Sequence, residues 1–414
     1  MKFKELIADQ FTTFDESGNI SHPKDDHKHI PGIFLFITLI FLLSCCISDY
    51  DLMGGKDTAG ILVVEGILLE NGTTIKLSRT VKLEEDLPVA AIDIYNASVQ
   101  VIDEEDQVIA RATSDLALPG TYVITEPISF APGMKYALDI RIDAKHYRSE
   151  YVSPVQTPEI EELTWKLNDD NSLNIMVSTY DPADEIRYYR WSFEENWEIR
   201  ASFFGSFIFN SITGELIEQQ FDGPINHYYC WDSDYSKSFL LGSADKFVNT
   251  VIKNHIIHTF QSGNSRFSYL YSILVKQYGL DKEAYDYFEH LQRNVDESGS
   301  LFAPQPSEKA GNIRCLSDPA EPVIGYITAS KETTSRLYIP FAELHLEYLE
   351  DKYFCDFEKI FSEQDLYMAE WEGLGIRNVL YPGPVYVCVP IKCVDCTLRR
   401  GFKDKPSFWP NQHQ

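Results

Sequence analysis

Apolar and polar residues alternate along the first third of the globular sequence. Residues 61–69 form a nearly continuous apolar segment, Asn71-Gly72 follows as a two-residue turn, and residues 73–79 alternate in polarity. This order is typical of a β-hairpin. Further strand patterns, separated by Pro-Gly and acidic turns, lie at 97–102, 107–110, 122–125 and 135–142. Strands at this spacing predict a β-sandwich, immunoglobulin-like or transthyretin-like, over residues 59–152.

The second half of the chain predicts a larger β-rich domain with a short helical insertion. Two prolines and several acidic residues predict a linker at 153–162. The helix is predicted over 282–294, because Asp281 is a suitable N-cap and the apolar residues that follow share one helical face. The strand patterns lie at 163–167, 173–178, 188–193 and 266–277, with a final hairpin from 325–330 and 335–339. We therefore expect a mainly β protein, with a second domain over 163–392 and a Cys-x-x-Cys tail over 393–414.

An apolar segment of 11 residues, 33–43, precedes these domains. As a helix it would span about 16 Å, roughly half of the ~30 Å hydrocarbon layer, so it is too short for a stable membrane crossing. Basic residues stand before it, and Leu42-Leu-Ser-Cys45 follows in the order of a bacterial lipobox. We predict an N-terminal extension with a lipoprotein signal peptide over 1–44, lipidation of Cys45, and a lipidated tether over 45–58. The alternative is a buried strand that ends in two cysteines.

The tether carries acidic residues soon after the predicted lipidation site, at Asp49 and Asp51. This placement resembles the export signal by which some Gram-negative bacteria move lipoproteins to the outer face of the outer membrane. An ordinary solvated spacer is the alternative. We expect an outer-membrane lipoprotein that faces either the periplasm or the cell exterior.

Composition and charge narrow the range of partners. The chain has 414 residues, 44% hydrophobic and 13% aromatic, which is the composition of globular domains and excludes bulk disorder. Its net charge of -27 repels phosphate backbones, and the sequence has no basic stripe, so nucleic acid is not an expected partner. The same charge repels anionic lipid, so acyl chains are the expected link to the membrane. No cofactor is expected.

Eight cysteines offer two kinds of structural site. Cys388, Cys393 and Cys396 lie close together near the C-terminus, and Cys230 and Cys315 lie upstream. A disulfide that ties the C-terminal tail to the second domain is favoured, because an exported chain meets an oxidising compartment. A zinc site with the three clustered thiolates and one upstream cysteine is the alternative.

Other candidate chemistry is weaker. His255 and His258 could bind a metal if they lie on a helix, whereas exposed or hydrogen-bonded histidines are the alternative. The acidic turn at 103–106 could bind calcium but lacks the fixed ligand spacing of a calcium loop, which favours a solvated hairpin tip. The sequence has neither a Gly-x-Ser-x-Gly elbow nor a His-Glu-x-x-His pair, so we assign no catalytic residue. A binding module is favoured, and an exported hydrolase acting on glycan or peptide is the alternative.

The order of short motifs resembles one family. Besides the lipobox, the motifs are Leu62-Val-Val-Glu-Gly66, Lys76-Leu-Ser-Arg79, Tyr189-Arg-Trp191, Cys230-Trp231, Tyr271-Ser-Ile-Leu-Val-Lys-Gln277, Ala284-Tyr-Asp-Tyr287, Gly299-Ser-Leu-Phe302, Gly311-Asn-Ile313, Gly325-Tyr326, Cys393-Val-Asp-Cys396 and Lys405-Pro-Ser-Phe-Trp409. In this order they resemble the lipoprotein family known as domain of unknown function 4249. The family usually has Gly-Gly after the last Cys-x-x-Cys, where this chain has Arg399-Arg400-Gly401.

The resemblance implies a location and a partner. Members are outer-membrane lipoproteins, often encoded beside a TonB-dependent transporter. By resemblance we therefore expect an accessory or binding protein for such a β-barrel in nutrient uptake. The resemblance implies no reaction, ligand or catalytic residue.

Overall fold

The computed structural model describes residues 60–81, 92–221, 227–245, 249–297, 311–344, 355, 358–380 and 385–410. These residues belong to one compact unit, Thr58–Gln414. Cys45, the predicted signal peptide and the predicted tether lie outside the described residues, so lipidation and the tether stay predictions.

The described residues form short strands joined by turns, with three short α-helices. The strands of the first half are β1 (Leu62–Leu69), β2 (Thr73–Arg79), β3 (Ile92–Asp93), β4 (Ala97–Asp103), β5 (Val108–Arg111), β6 (Thr113–Ser114), β7 (Thr121–Ile124), β8 (Tyr136–Ile142), β9 (Lys145–Ser149), β10 (Ile160–Leu167), β11 (Leu173–Tyr180) and β12 (Tyr188–Arg200). The remaining strands are β13 (Phe207–Asn210), β14 (Glu215–Glu218), β15 (Tyr229–Tyr235), β16 (Leu240–Ser243), β17 (Val251–Phe260), β18 (Leu270–Leu280), β19 (Ile313–Cys315), β20 (Val323–Gly325), β21 (Thr328–Ser330), β22 (Glu332–Pro340), β23 (Lys359–Ser362), β24 (Leu374–Leu380) and β25 (Val385–Pro390). The helices are α1 (Lys282–Glu297), α2 (Phe341–Leu344) and α3 (Leu366–Trp371).

Two sheets enclose the first core. Leu62 and Leu77 come from the sheet that contains β1 and β2, and Val101 and Ile140 come from the sheet that contains β4 and β8. These side chains are fully buried, as their alternation with polar residues predicts. The mainly β fold class and a β-sandwich layout at the N-terminal side are confirmed.

The sandwich also takes strands from far along the chain. The predicted final hairpin from 325–330 and 335–339 is wrong, because β20 and β21 pair in parallel with β1 while β22 pairs with β18. β19 extends the other sheet by pairing with β9. Local alternation predicts a strand but not its distant partner, so the contiguous boundary at residue 152 does not separate two independent folds.

The segment predicted as a linker is built into the joint between the two parts. β10 begins at Ile160, inside the predicted range of 153–162. Thr157 is buried, accepts a hydrogen bond from the backbone N–H of Gly279 at 2.9 Å, and shares one with the Ser330 hydroxyl at 2.8 Å. The segment is thus fixed by hydrogen bonds at both sides.

A second core lies between two further sheets. The order of one is β10-β11-β17, and the other runs β15-β12-β18-β22 with β16 also paired to β12. Tyr189, Trp191 and Phe193 project from β12 into this core. The Trp191 Nε1–H donates to Gln277 Oε1 at 2.9 Å, which satisfies a polar group within the apolar core.

The helix prediction is confirmed, and the long strand predicted before it starts later than expected. Residues Ser265–Phe267 form a 3-10 turn capped by Asn264, and β18 begins only at Leu270. Asp281 caps α1, with its Oδ1 accepting from the backbone N–H of Ala284 at 2.8 Å. The helix continues to Glu297.

Candidate functional site

A cavity of about 530 Å³ lies where the sandwich meets the second part of the fold. Its walls come from β1, the first half of β12, the loop before β16, α1, and the segment around Gly325. This volume is within the range typical of small-molecule pockets, and such pockets often form where two parts of a fold meet. We refer to it as the junction pocket.

The alternation of β12 places one arginine on the pocket wall. Tyr189 and Trp191 point into the second core and are at most 1% exposed, so Arg190 between them points to the opposite face of the sheet. Its direct neighbours across the sheet are Leu241 on β16 and Tyr278 on β18. Arg190 thus stands on the pocket wall among apolar and aromatic side chains.

Two phenylalanine rings pack against the Arg190 guanidinium. Its Cζ lies 5.2 Å from the ring centre of Phe239 and 4.9 Å from that of Phe288. The two ring centres are 5.4 Å apart, so the three points form a nearly equilateral triangle and both rings lie to one side of the guanidinium. Cation–π attraction holds the side chain in place.

The Arg190 guanidinium has neither a salt bridge nor a hydrogen bond to any residue in the described part of the chain. Burial lowers its pKa below the ordinary value for arginine, and the nearby Tyr278 and Glu65 oppose this only in part. An arginine stays charged even so, because its ordinary pKa is above 12. The pocket therefore presents a partly desolvated positive charge with unused N–H donors.

The sequence of α1 supplies the ring that fixes Arg190. Ala284, Tyr287, Phe288 and Leu291 recur at the spacing of one helical face, and the first three are at most 5% exposed. Tyr287 packs on Tyr326, with their ring centres 5.0 Å apart. The helix therefore holds Phe288 against Arg190 and lines the pocket with Tyr287 and Leu291.

A close backbone approach forms the opposite wall. Gly325 pairs with Val64 and has φ of +149°, and a Cβ there would lie 2.3 Å from the Val64 carbonyl oxygen. Only glycine fits this position. The Gly325-Tyr326 motif therefore acts structurally, by setting β20 against β1 and directing Tyr326 to α1.

The pocket rim carries the only other cation among its described lining residues. The side chain of Lys237 is 72% exposed, and its Nζ lies 3.2 Å from Asp234 Oδ1. Glu65 also lines the pocket. The charge within the pocket is therefore set by Arg190 inside it and by Glu65 and Lys237 near it.

A second cavity, of about 340 Å³, lies at the other end of β12 and is strongly polar. Arg200 donates to Glu198, and Arg266 donates to Glu195 and, at 3.0 Å, to Asp234. Burial raises the pKa of the Glu195 carboxyl, and the hydrogen bonds from Tyr271 and Arg266 act against that rise. These arginines have acidic partners within the protein.

Arg399 is also satisfied inside the protein. It donates to the backbone carbonyls of Lys392 at 2.8 Å and Arg200 at 3.0 Å, and to the Ser202 hydroxyl at 2.6 Å. It thereby ties the C-terminal segment to the end of β12.

Two disulfides hold this C-terminal segment. Cys230 pairs with Cys396 and Cys355 pairs with Cys393, so the prediction that Cys393 or Cys396 forms a disulfide is confirmed. Cys355 was not among the candidates, although it lies closer in sequence to the cysteine cluster than Cys230 or Cys315 does. Both Cys315 and Cys388 are buried free thiols. With Cys393 and Cys396 bonded to other sulfurs, the thiolate zinc alternative has no ligand set.

The two candidate histidines lie on a strand. β17 carries His255 and His258, and a bulge opposite β11 shifts its alternation so that both rings pack on core aromatics. Burial lowers the pKa of both, that of His258 to about 4. In the described ranges, no group of three or more His, Cys, Asp or Glu side chains could hold a metal ion. The helical metal pair is therefore wrong.

The acidic turn at 103–106 forms a hairpin tip. Asp103 Oδ1 accepts from the backbone N–H groups of Glu105 and Gln107 at 3.0 and 2.8 Å. Asp106 accepts from Arg148 and from the Tyr151 hydroxyl. These oxygens are used in shaping the turn, which favours the hairpin-tip interpretation over calcium.

Two Asp–His pairs were not found from the sequence, and in the first of them His146 Nε2 lies 2.5 Å from Oδ2 of the buried Asp139. In the second, His227 Nδ1 lies 2.7 Å from Asp395 Oδ2 beside a small cavity of about 90 Å³. Asp395 Oδ1 accepts from the backbone N–H and the hydroxyl of Thr397. No described Ser, Thr or Cys side chain hydrogen-bonds to the other nitrogen of this histidine, so the pair lacks a nucleophile in the part of the chain that the structure covers.

The sequence analysis also missed Arg190. The available signal was a cation between two aromatic residues in Tyr189-Arg-Trp191, on a strand with one buried face. None of the helices in the described ranges is long and apolar enough to span a membrane.

Comparisons with known proteins give one family, and the solved structures similar to this chain include two alpha-2-macroglobulins. The family model described as "Domain of unknown function (DUF4249)" matches residues 47–336. The chain is 11% identical to a cryo-EM structure of E. coli alpha-2-macroglobulin in its native conformation, with a TM-score of 0.17. It is 10% identical to a mutant Salmonella alpha-2-macroglobulin, also with a TM-score of 0.17. Each comparison covers 57% of this chain and 14% of the other. No curated protein matches.

Proposed function

This chain belongs to the DUF4249 family, and we propose that it is a lipid-anchored outer-membrane binding protein. In this proposal it is the accessory partner of a TonB-dependent transporter in nutrient uptake. The observation that carries the binding function is the junction pocket, where Arg190 offers unused donors to the cavity. The anchor and the partner rest on the lipobox and on the family resemblance.

The pocket supports binding for a physical reason. Protein interiors normally satisfy a desolvated charge with a counter-ion or hydrogen bonds, as Arg266 is satisfied by Glu195 and Asp234. Arg190 has neither a salt bridge nor a hydrogen bond among the described residues, with Glu65 the nearby carboxylate, and it faces a cavity large enough for a small molecule. A ligand would supply the missing partner.

The anchor follows from the N-terminal sequence. One acyl chain gives only marginal membrane binding, at about 0.8 kcal/mol per buried methylene, so several chains on Cys45 would hold the protein durably. A net charge of -27 adds no attraction to anionic lipid. An acidic body on a short tether is free to lie over the mouth of a β-barrel.

Two measurements test the anchor and the partner. We expect mass spectrometry of the mature N-terminus to find acylated Cys45, and Cys45→Ser to accumulate as unprocessed precursor. An unmodified chain that retains residues 1–44 would contradict the anchor. We expect purification in mild detergent to recover a β-barrel protein in near-stoichiometric amount.

The same purification separates binding from hydrolysis. Recovery of the lipoprotein alone, together with turnover of a glycan or peptide, would establish the exported hydrolase instead. The matched variant is His227→Gln, because His227 and Asp395 form an Asp–His pair that lines a small cavity, as the base and orienter of a catalytic site would. Under the binding proposal this variant changes neither partner recovery nor processing.

A further inference from the structure

We propose that the junction pocket binds the carboxylate of an organic monoanion with an apolar or aromatic body, and that Arg190 is the residue that binds the carboxylate. This inference rests on the proposed binding function and adds the chemical class of the ligand.

The N–H groups of Arg190 are available to a ligand in the cavity. Phe239 and Phe288 both lie to one side of the guanidinium, with the ring centres 5.2 and 4.9 Å from its Cζ. The guanidinium and both rings line the same cavity. A guanidinium presents its N–H groups in a planar fork that matches the two oxygens of a carboxylate. The rings thus orient the fork without using its donors.

The surrounding charges favour a single negative charge on the ligand. Glu65 lines the same pocket and would repel a dianion more strongly than a monoanion. Lys237 at the rim is 72% exposed and lies within ion-pair distance of Asp234, so it is a weak second cation. A phosphate monoester, which carries between one and two negative charges at neutral pH, would have only Arg190 as a full partner.

The walls favour an apolar or aromatic body. Tyr287, Tyr326 and Leu291 line the cavity together with the two phenylalanine rings. Aromatic walls stabilise a ring or an alkyl chain by contact area and by ring-to-ring packing. An inorganic anion would not cover these apolar side chains, so they would stay in contact with water.

The test uses the full chain in detergent and three probes. Phenylacetate is the carboxylate probe, phenylacetamide is its neutral match, and inorganic phosphate is the anion without an apolar body. Ligand-observed NMR titration measures saturable binding. We expect phenylacetate to bind at least about 10-fold more tightly than phenylacetamide, because a charge-assisted hydrogen bond contributes about 1.5–3 kcal/mol.

Variants assign the effect to Arg190. Arg190→Gln is expected to weaken phenylacetate binding by about 10- to 100-fold. Arg190→Lys keeps the charge but loses the fork, so an intermediate affinity is expected. The matched control is Arg314→Gln, a 75% exposed arginine that does not line the pocket, and it should bind like the unchanged chain.

Other outcomes would overturn the inference in distinguishable ways. Equal binding of acid and amide, both lost when Leu291→Trp fills the cavity, would overturn the anion class and keep the binding function. Tighter binding of phosphate than of phenylacetate would overturn the apolar body. Absence of saturable binding by all three probes would overturn the inference, whereas recovery of a β-barrel partner tests the proposed function separately.

Discussion

The two ends of β12 carry arginines in opposite circumstances. At one end Arg190 faces the junction pocket without a salt bridge or a side-chain hydrogen bond in the described ranges, and Glu65 acts on it only by Coulombic attraction beyond ion-pair distance. At the other end Arg200 donates to Glu198, and the neighbouring Arg266 donates to Glu195 and Asp234. Aromatic rings do not distinguish the ends, since Arg266 lies 4.4 Å from the ring of Trp197 and Arg190 lies 4.9 Å from that of Phe288. What distinguishes the two ends is the salt bridge to a carboxylate.

The difference separates structural charge from charge that is available to a ligand. A buried ion pair is satisfied within the protein, and removing one member leaves the other without a counter-ion. When a cation without a salt bridge is removed, no carboxylate is left buried without its counter-ion. The same residue type on one strand therefore acts in packing at one end and is available for recognition at the other.

We call the end of β12 where Arg200 and Arg266 form ion pairs with carboxylates the paired end. The largest expected effect concerns the disulfide at this end. Cys230→Ala with Cys396→Ala opens a loop whose ends are 166 residues apart, so we expect the free energy of unfolding to fall by about 5 kcal/mol. Urea denaturation of the full chain measures this. The control is Cys388→Ala, a buried free thiol, with a clearly smaller loss. Equal losses in the two variants would contradict a stabilising disulfide.

The second prediction compares the arginines directly. Arg266→Gln leaves Glu195, which is 1% exposed, without its cation, so we expect a loss of about 3 kcal/mol, at the lower end for a broken buried pair because Arg266 is 26% exposed. Arg190→Gln should change stability by less than about 2 kcal/mol, because two partly desolvated cation–π contacts are lost while the cost of desolvating the charge is removed as well. Urea denaturation of both variants checks this.

Adding Glu195→Gln to Arg266→Gln removes the unpaired carboxylate, so the double variant should recover part of the lost stability. A loss at Arg190 as large as that at Arg266 would contradict the comparison, because it would mean that Arg190 is also held by an internal partner.

The sequence predicted those parts of the fold that depend on local pattern. The apolar segment of β1, the alternation in β2 and β8, and the Asp281 cap of α1 are local signals, and the structure confirms them. The parallel pairing of β20 with β1 depends on a close approach at Gly325, which no nearby residue indicates. The final hairpin was therefore wrong although its strands exist.

The site was less accessible from sequence. Cys393 and Cys396 form a visible motif, whereas the pairing with Cys355 and Cys230 depends on the tertiary fold. Arg190 becomes distinctive only when β1, the Gly325 segment and α1 surround it. Whether an arginine forms a salt bridge depends on which residues surround it in the folded protein. In a chain with 63 acidic residues, composition alone cannot predict which arginine lacks one.

The third prediction concerns pH at the paired end. Burial, with a smaller contribution from Arg266, lowers the pKa of His258 from 6.5 to about 4, and its Nε2 has no hydrogen-bond partner in the part of the chain described. Between these pH values the unfolded chain binds a proton that the folded chain does not, so stability falls as pH decreases from about 6.5 to 4. At about 1.4 kcal/mol per pKa unit, and with allowance for partial exposure, we expect His258 to account for about 2 kcal/mol of this fall.

His258→Phe should remove that share, as measured by urea denaturation at pH 7, 5.5 and 4. The reference is the unchanged chain measured at the same three pH values. An unchanged slope in His258→Phe would contradict the assignment to this residue.

The smallest effect lies at Asp234, the residue that links the two ends. Its Oδ2 accepts from Arg266 at 3.0 Å, and its Oδ1 lies 3.2 Å from Lys237 at the pocket rim. Lys237→Gln should cost only about 0.2–1 kcal/mol of stability, because the lysine is exposed and its ion pair is screened by water and salt. Urea denaturation at low and high salt measures this, with the loss disappearing at high salt. A loss as large as that of Arg266→Gln would mean that the pocket rim and the paired end form one structural network. The two ends of β12 would then not be independent, which would contradict the comparison between them.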